Sequence, residues 1–218
     1  MTPREPLARA LRLEEQLSSW IRVAEQGLAP GEVPQDPIDE LLAEHQLTAA
    51  VMRALPGEAA RLAQQGVLNL DFWRAVVDFI GNYIHLCHRR KEEHALVPAL
   101  IKLAVDLPKH DVERLRLEHH HAEAFTHELI DAVSEGDWEK VHRVAQLYAS
   151  LMREHLAFEE ATLLAAARSA LTEPATAALR RDFDAIEARA LGERSRRFYL
   201  DVARRLCATV SPDALHDA

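Results

Sequence analysis

Glu44-His45 is followed along the chain by His88-x-x-x-Glu92-Glu93, and Glu118-His119 is followed in the same way by His155-x-x-x-Glu159-Glu160. On a helix, residues four apart stand one above the other on the same face. Each His-x-x-x-Glu pair therefore offers an imidazole and a carboxylate to one point in space. One such pair is half of a site for a borderline metal such as iron, manganese or zinc. Two pairs, each preceded by a Glu-His on an earlier helix, read as two helical hairpins of the same design. Together they predict an all-α chain built on an up-down four-helix bundle with a metal site in its core.

Hydrophobic periodicity sets which residues face inward. Turning each residue by about 100° puts Ile38, Leu41, Leu42, His45, Ala49 and Met52 on one stripe. Val77, Gly81, Ile84, His88, Glu92, Ala95 and Ala99 share a second. A third passes through Val112, Leu115, His119, Ala122, Thr126, Ile130 and Val133, which turns His120 and His121 away from the core. The fourth runs through Val141, Val144, Tyr148, Leu151, His155, Glu159 and Thr162. Glu is almost never fully buried unless paired, and an isolated buried carboxylate costs several kcal/mol or more. Glu92 and Glu159 on inner stripes beside four imidazoles thus demand compensation, and bound cations supply it. The bland alternative is an extended buried His–Glu hydrogen-bond network without metal.

Local signals divide the chain. An amphipathic helix over about 4–27, carrying Leu7, Leu11, Leu17, Trp20 and Ile21, ends at Gly27. A linker reaches residue 35, and Asp36-Pro37 opens the first core helix as N-cap and first helical residue. Pro56-Gly57 closes that helix, and a partly helical stretch fills 58–67. The second core helix starts near Asn69 or Asp71, and Pro98 kinks or ends it. Core helices three and four cover about 111–133 and 137–168. Two C-terminal helices, about 174–190 and 193–209, bury Leu179, Phe183 and Ile186, then Phe198, Val202 and Leu206. The expected units are 1–35, the bundle over 36–170, and a C-terminal extension over 171–218 packed on it.

Several functional classes are disfavoured. A net charge of −9 argues against nucleic acid or an anionic membrane as partner. No apolar run approaches the roughly 20 residues of a membrane span, and the N-terminal residues lack an apolar signal core. Two cysteines, Cys87 and Cys207, are too few for a disulfide framework, so a reducing cytoplasm is the expected setting. Cys87 is turned from the site and packs. Of the 12 histidines, His94, His110, His127, His142 and His216 read as surface. His85 is either a fifth inward imidazole or a half-exposed side chain. Glu93 and Glu160 point off the stripes, toward solvent or toward the outer edges of the ligands. Glu118-x-x-His121 has the Glu-x-x-His spacing of ferritin-like di-iron bundles, but once and off the stripe, so it reads as coincidence.

The four motifs in this order, Leu41-Leu42-Ala43-Glu44-His45, Cys87 to Glu93 with Leu96-Val97-Pro98, Leu117-Glu118-His119 and His155 to Glu160, resemble the hemerythrin-like, or HHE cation-binding, family over about residues 36–168. That resemblance implies a non-heme di-iron centre, with manganese or zinc as substitutes. Its metal set here is His45, His88, Glu92, His119, Glu123, His155 and Glu159, with Glu92 and Glu159 bridging the two irons. Oxygen-carrying members have a His four residues after the third-helix His, where this chain has Glu123. They also have an Asp five residues after the last His, where this chain has Glu159 after four and Glu160 after five. A harder, more anionic site favours the oxidised metal and weakens reversible O2 carriage. The resemblance implies a small ligand, O2, NO or peroxide, that is bound or sensed. Its alternatives are a di-iron oxidase or peroxidase acting on a small substrate, and an iron-handling protein. The outer helices are expected to cap the bundle or to form a homodimer contact.

Overall fold

A computed structural model describes residues 34–210. The helix expected over 4–27, its linker to residue 33, and the tail from Ser211 that carries His216 lie outside the described residues. Everything described is helix and connecting turn, with no strand among the described residues.

Helix α1 spans Pro37–Gln65. Asp36 caps it, its carboxylate accepting from the backbone N–H of Ile38 at 2.7 Å and of Asp39 at 3.3 Å. Asp36→Ala is expected to cost about 1 kcal/mol, read as a melting temperature lowered by about 2–4 °C. The expected stop at Pro56-Gly57 does not occur. Proline removes one hydrogen bond and crowds the preceding turn, yet Leu55, Ala59 and Leu62 on either side of it are fully buried, and this packing carries the helix on. Gly66, at φ 66°, ends it instead. Gly57 serves a close approach: a Cβ there would stand 2.5 Å from Val210 Cγ1.

The second run, α2, is continuous from Leu70 to Lys102 but changes its winding. Leu70–Asp78, Arg89–Lys91 and Val97–Lys102 are α-helical, while Phe79–His88 and Glu92–Leu96 are π-helical. Pro98 does not end it. It falls in the first turn after a π-helical stretch, where the bond register shifts and its missing N–H is tolerated. Helix α3 spans Lys109–Glu135 and stops at Gly136, φ 68°. The fourth run, α4, comprises α-helical Trp138–Glu159, π-helical Glu160–Leu164 and α-helical Ala165–Ala170, with Asp137 capping its start. Helices α5, Glu173–Leu191, and α6, Arg196–Thr209, form a C-terminal hairpin.

Helix α4 packs along both α1 and α3, α6 lies on α1, and α5 covers the π-helical part of α2. Two apolar cores result. One gathers Trp73, Phe79, Tyr83, Tyr148 and Tyr199; the other gathers Ile38, Leu41, Leu96, Leu100, Leu164 and Phe183. On each of the four long runs the inward His or Glu falls at the seam between them: His45 between Leu41 and Val51, His88 and Glu92 between Cys87 and Ala95, His119 between Leu115 and Ala122, Glu159 between Leu156 and Leu163. The fold thus holds one polar layer between two dry ones. Two expected core residues are displaced. Ile130 is 37 % exposed because Leu129 and Ala132 take the inner face as the α3 stripe drifts, and Phe198 is 38 % exposed because its neighbour Tyr199 is the one buried. No helix among the described residues is long and apolar enough to cross a membrane.

Candidate metal centre

His45, His88, Glu92, His119, His155 and Glu159 meet in that polar layer, and all six are buried. The four imidazoles form two edge-to-face pairs, His45 with His88 at 5.0 Å between centroids and His119 with His155 at 4.7 Å. Each turns its Nε2 inward. Glu92 and Glu159 lie between the pairs, one oxygen toward each. Glu92 Oε1 stands 3.7 Å from His45 Nε2 and 3.4 Å from His88 Nε2, while its Oε2 stands 3.4 Å from His119 Nε2. Glu159 Oε2 stands 3.3 Å from His45 Nε2, and its Oε1 stands 3.4 Å from His119 Nε2 and 3.0 Å from His155 Nε2.

These approaches lack hydrogen-bond geometry. Both oxygens of Glu92, both of Glu159, and the Nε2 atoms of His45 and His88 are buried without a hydrogen-bond partner. Buried polar groups are almost always partnered, so six orphaned atoms aimed at one another mark a place built for something else. The donor set, imidazole nitrogen with carboxylate oxygen, fits iron, manganese or zinc, and two overlapping groups of these donors have the spacing to hold an ion.

The outer ring nitrogens are all satisfied, in a closed circuit around the bundle. Glu44 on α1 holds His88 Nδ1 on α2 at 2.8 Å, and Glu93 on α2 holds His119 Nδ1 on α3 at 2.7 Å. Glu118 on α3 holds His155 Nδ1 on α4 at 2.9 Å, and Glu160 on α4 holds His45 Nδ1 on α1 at 3.1 Å. A carboxylate on Nδ1–H fixes the tautomer, aims the Nε2 lone pair and raises its basicity, the usual support of a metal-bound histidine. Every member of the repeated Glu-His and His-x-x-x-Glu-Glu pattern therefore has a place. The local winding explains the two glutamates read as off the stripe. Each belongs to a π-helical segment, Glu93 in Glu92–Leu96 and Glu160 in Glu160–Leu164, and the wider turn re-aims it at the next helix.

Charges in the layer are tightly balanced. Burial pulls the His119 imidazole down, but contacts with Glu159, Glu92 and Glu93 outweigh it and hold the pKa at about 11. For His155, burial is overcome by Glu159 and Glu118, which hold it at about 9. His45 is raised well above 6.5, the carboxylates of Glu159, Glu160 and Glu92 again winning over burial. Burial pushes Glu92 and Glu159 up, yet the surrounding imidazoles keep both below the usual carboxylate range.

Glu123 does not join the six, a correction to the ligand set read from sequence. Its carboxylate accepts from Arg89 Nη1 at 3.1 Å and remains 47 % exposed. Arg89 also binds Glu93 at 3.0 Å, so the cation draws Glu123 to the solvent edge rather than into a dry site. Glu123→Ala, like His120→Ala, is expected to leave metal content unchanged, with a stability change within about 0.5 kcal/mol; elemental analysis beside a melting curve checks both. His85 is engaged elsewhere. Its Nε2 meets Thr126 Oγ1 at 2.9 Å, and burial together with the Arg89 charge pushes its pKa down to about 4. Cys87 is buried and its thiol is pushed up to about 12 by that burial. It lies near Glu44 and Glu187 in a group that could hold an ion, but Lys91 Nζ already bonds both carboxylates.

The Hemerythrin HHE cation binding domain matches residues 36–167, which takes in all six inward donors and all four outer carboxylates. The chain belongs to the hemerythrin HHE cation-binding family. Cation binding follows from that membership, and the inward cluster is where the described residues could hold the cation. Neither the curated proteins nor the solved structures compared with the chain give a match. The inward carboxylate on α4 is Glu159, four residues after His155, while the fifth residue, Glu160, supports His45 from outside.

Proposed function

We propose that this HHE protein is a non-heme di-iron protein that binds or senses O2, NO or peroxide. In this reading the four long runs form an up-down bundle around the site. His45 and His88 would hold one iron, His119 and His155 the other, and Glu92 and Glu159 would bridge them. The observation that carries the reading is the set of six orphaned inward atoms, the Nε2 of His45 and His88 and all four oxygens of Glu92 and Glu159, with each carboxylate split between the two imidazole pairs. Iron, when bound, supplies redox and Lewis-acid chemistry toward diatomic ligands and peroxide. The chain supplies the rest. Its outer carboxylates orient the rings, the two apolar cores exclude water, and four donors at one position and three at the other leave coordination open.

A groove of about 860 Å³ is lined by Leu68, Leu70, Val77, Ile130, Val133 and Gly136 among others, at the end of the bundle away from Pro37. None of the six donors lines it. An organic substrate would need a pocket of at least about 300 Å³ beside the metals, and the burial of all six donors favours a ligand of two or three atoms. An oxidase or peroxidase, or an iron-handling protein, remains the second reading, since the same donors serve those chemistries.

The test is elemental analysis with spectroscopy of protein produced in iron-replete medium. Two irons per chain, a carboxylate-bridged ferric absorption band and a nitrosyl spectrum on adding NO to the reduced protein are expected. A colourless, stable protein free of metal would overturn the reading. Rapid turnover of peroxide would move it to the enzyme alternative.

A further inference from the structure

Away from the six donors, charge is buried most densely where α5 and α6 meet α1 and α2. Lys91 Nζ, fully buried, lies 2.5 Å from Glu40 Oε1, 2.6 Å from Glu44 Oε1 and 2.8 Å from Glu187 Oε2. Arg196, from α6, reaches the same three carboxylates, at 3.1 Å to Glu44 and 2.6 Å to Glu187, with Glu40 in direct contact. Arg180, from α5, closes on the other oxygen of Glu40. Three carboxylates thus face three cations. Buried ion pairs are seldom more stabilising than apolar packing of the same volume, so holding the hairpin in place does not by itself account for this cluster.

Glu44 connects it to the centre. One of its oxygens sits in the cluster and the other accepts from His88 Nδ1. The other three outer carboxylates differ. Glu93 and Glu118 are 19 % and 14 % exposed and share their charge with Arg89 and Arg114 at the solvent edge, and Glu160 is 46 % exposed. Glu44, at 1 %, is the one outer carboxylate both sealed from water and clamped by two buried or nearly buried cations.

We propose that the C-terminal hairpin is an arm of the metal centre, with Arg196 a positioning residue that fixes Glu44 against His88 and makes the His45–His88 position the tighter of the two. The inference rests on the metal reading above. Four inner donors gather at the first position and three at the second, and the supports widen that difference. A ring whose Nδ1 partner neither rotates nor exchanges with water has its Nε2 aimed before the metal arrives. His45, held by the half-exposed Glu160, and His119 and His155, held by Glu93 and Glu118 at the solvent edge, must be fixed on binding, so His88 is the one ring aimed in advance and only the His45–His88 position contains it. Losing such an outer partner typically costs 10- to 100-fold in metal affinity.

The experiment is a calorimetric Zn2+ titration of the metal-free full chain, followed in parallel by NMR of 15N-labelled histidine rings. In the unaltered protein the first equivalent should move the His45 and His88 rings and the second those of His119 and His155. Arg196→Met should weaken the first step about tenfold or more, leave the second in place, and shift the His88 Nδ1–H signal. Arg196→Lys should recover much of the loss. Leu206→Ala removes apolar packing from α6 but none of the ion pairs, and should leave the first step intact; if it weakens that step as Arg196→Met does, the effect is loosening of the hairpin and the proposal falls. It also falls if Arg196→Met titrates like the unaltered protein, weakens both steps alike, or if His119 and His155 fill first. Should Arg196→Met not fold, Glu187→Gln reads the same step, with weakening expected there alone and an unchanged isotherm overturning the proposal. Failure of the unaltered chain to take up any Zn2+ would instead sink the metal reading beneath it.

Discussion

Glu92→Ala is expected to reduce the metal content from two ions per chain to one or none while leaving a folded helical protein. Glu92 is the residue whose oxygens divide between the His45–His88 pair and His119, so its loss removes a donor from both positions. Helix α2 itself should survive, because alanine is the best helix former and the flanking Cys87, Ala95 and Leu96 stay buried. Glu92→Gln keeps the shape and one neutral oxygen donor, and should bind more weakly than the parent but better than the alanine variant. Elemental analysis with far-ultraviolet circular dichroism decides. A second readout is the rise in melting temperature on adding metal, which should shrink with affinity, since a ligand stabilises only as far as it binds the folded state. Two tightly held ions in Glu92→Ala would exclude a bridging role for Glu92 and leave Glu159 as the sole link.

Parts of this centre were legible in the sequence because its logic is local. His88 with Glu92 and His155 with Glu159 are one helical turn apart, and the stripes through His45 and His119 use the same period, so rotation alone brought all six to one interior. The pattern also contained the four outer carboxylates. For Glu93 and Glu160 the choice between solvent and the ligands' outer edges stayed open, because a straight α-helix aims the fifth residue after a histidine away from the core and the sequence carries no plain mark of where π-helical winding begins. Pro56 as a stop, and Pro98 as a stop, misled for a related reason. Proline is a local signal, and its cost was outweighed by burial around Leu55 and Leu62 in one case and absorbed by a shift of bond register in the other. Glu123 was misplaced because its partner, Arg89, lies on another helix. The cluster around Lys91 was invisible for the strongest form of that reason. Nothing in Arg89-Arg90-Lys91 marks one of its cations as interior, and only residues brought from α1, α5 and α6 make Lys91 so. Separations of that length leave no periodic trace.

Metal-free and metal-loaded protein should respond to pH in different ways. Without metal, His45, His119 and His155 keep protons to neutralise Glu92 and Glu159, with His155 held at about 9 and His119 at about 11. A histidine whose folded pKa lies above its unfolded value of 6.5 contributes its full stabilisation below 6.5 and loses it as the pH rises through the folded value. The metal-free protein should therefore weaken steadily between pH 7 and 10, with His155 alone accounting for about 2–3 kcal/mol. Glu92 and Glu159 have the opposite sign. Their folded values are depressed, so their contribution is present above the ordinary carboxylate range and is lost in acid. Metal replaces the imidazole protons, so loading at pH 7 should release protons into weakly buffered solution, and apparent affinity should rise with pH. Melting curves at pH 7, 8.5 and 10, with and without Zn2+, should show the metal-free transition falling while the loaded one holds, the gap between them widening. A metal-free melting temperature that stays level or climbs over that range would mean the inward imidazoles are already neutral at pH 7, and that the carboxylates between them are balanced by some other charge.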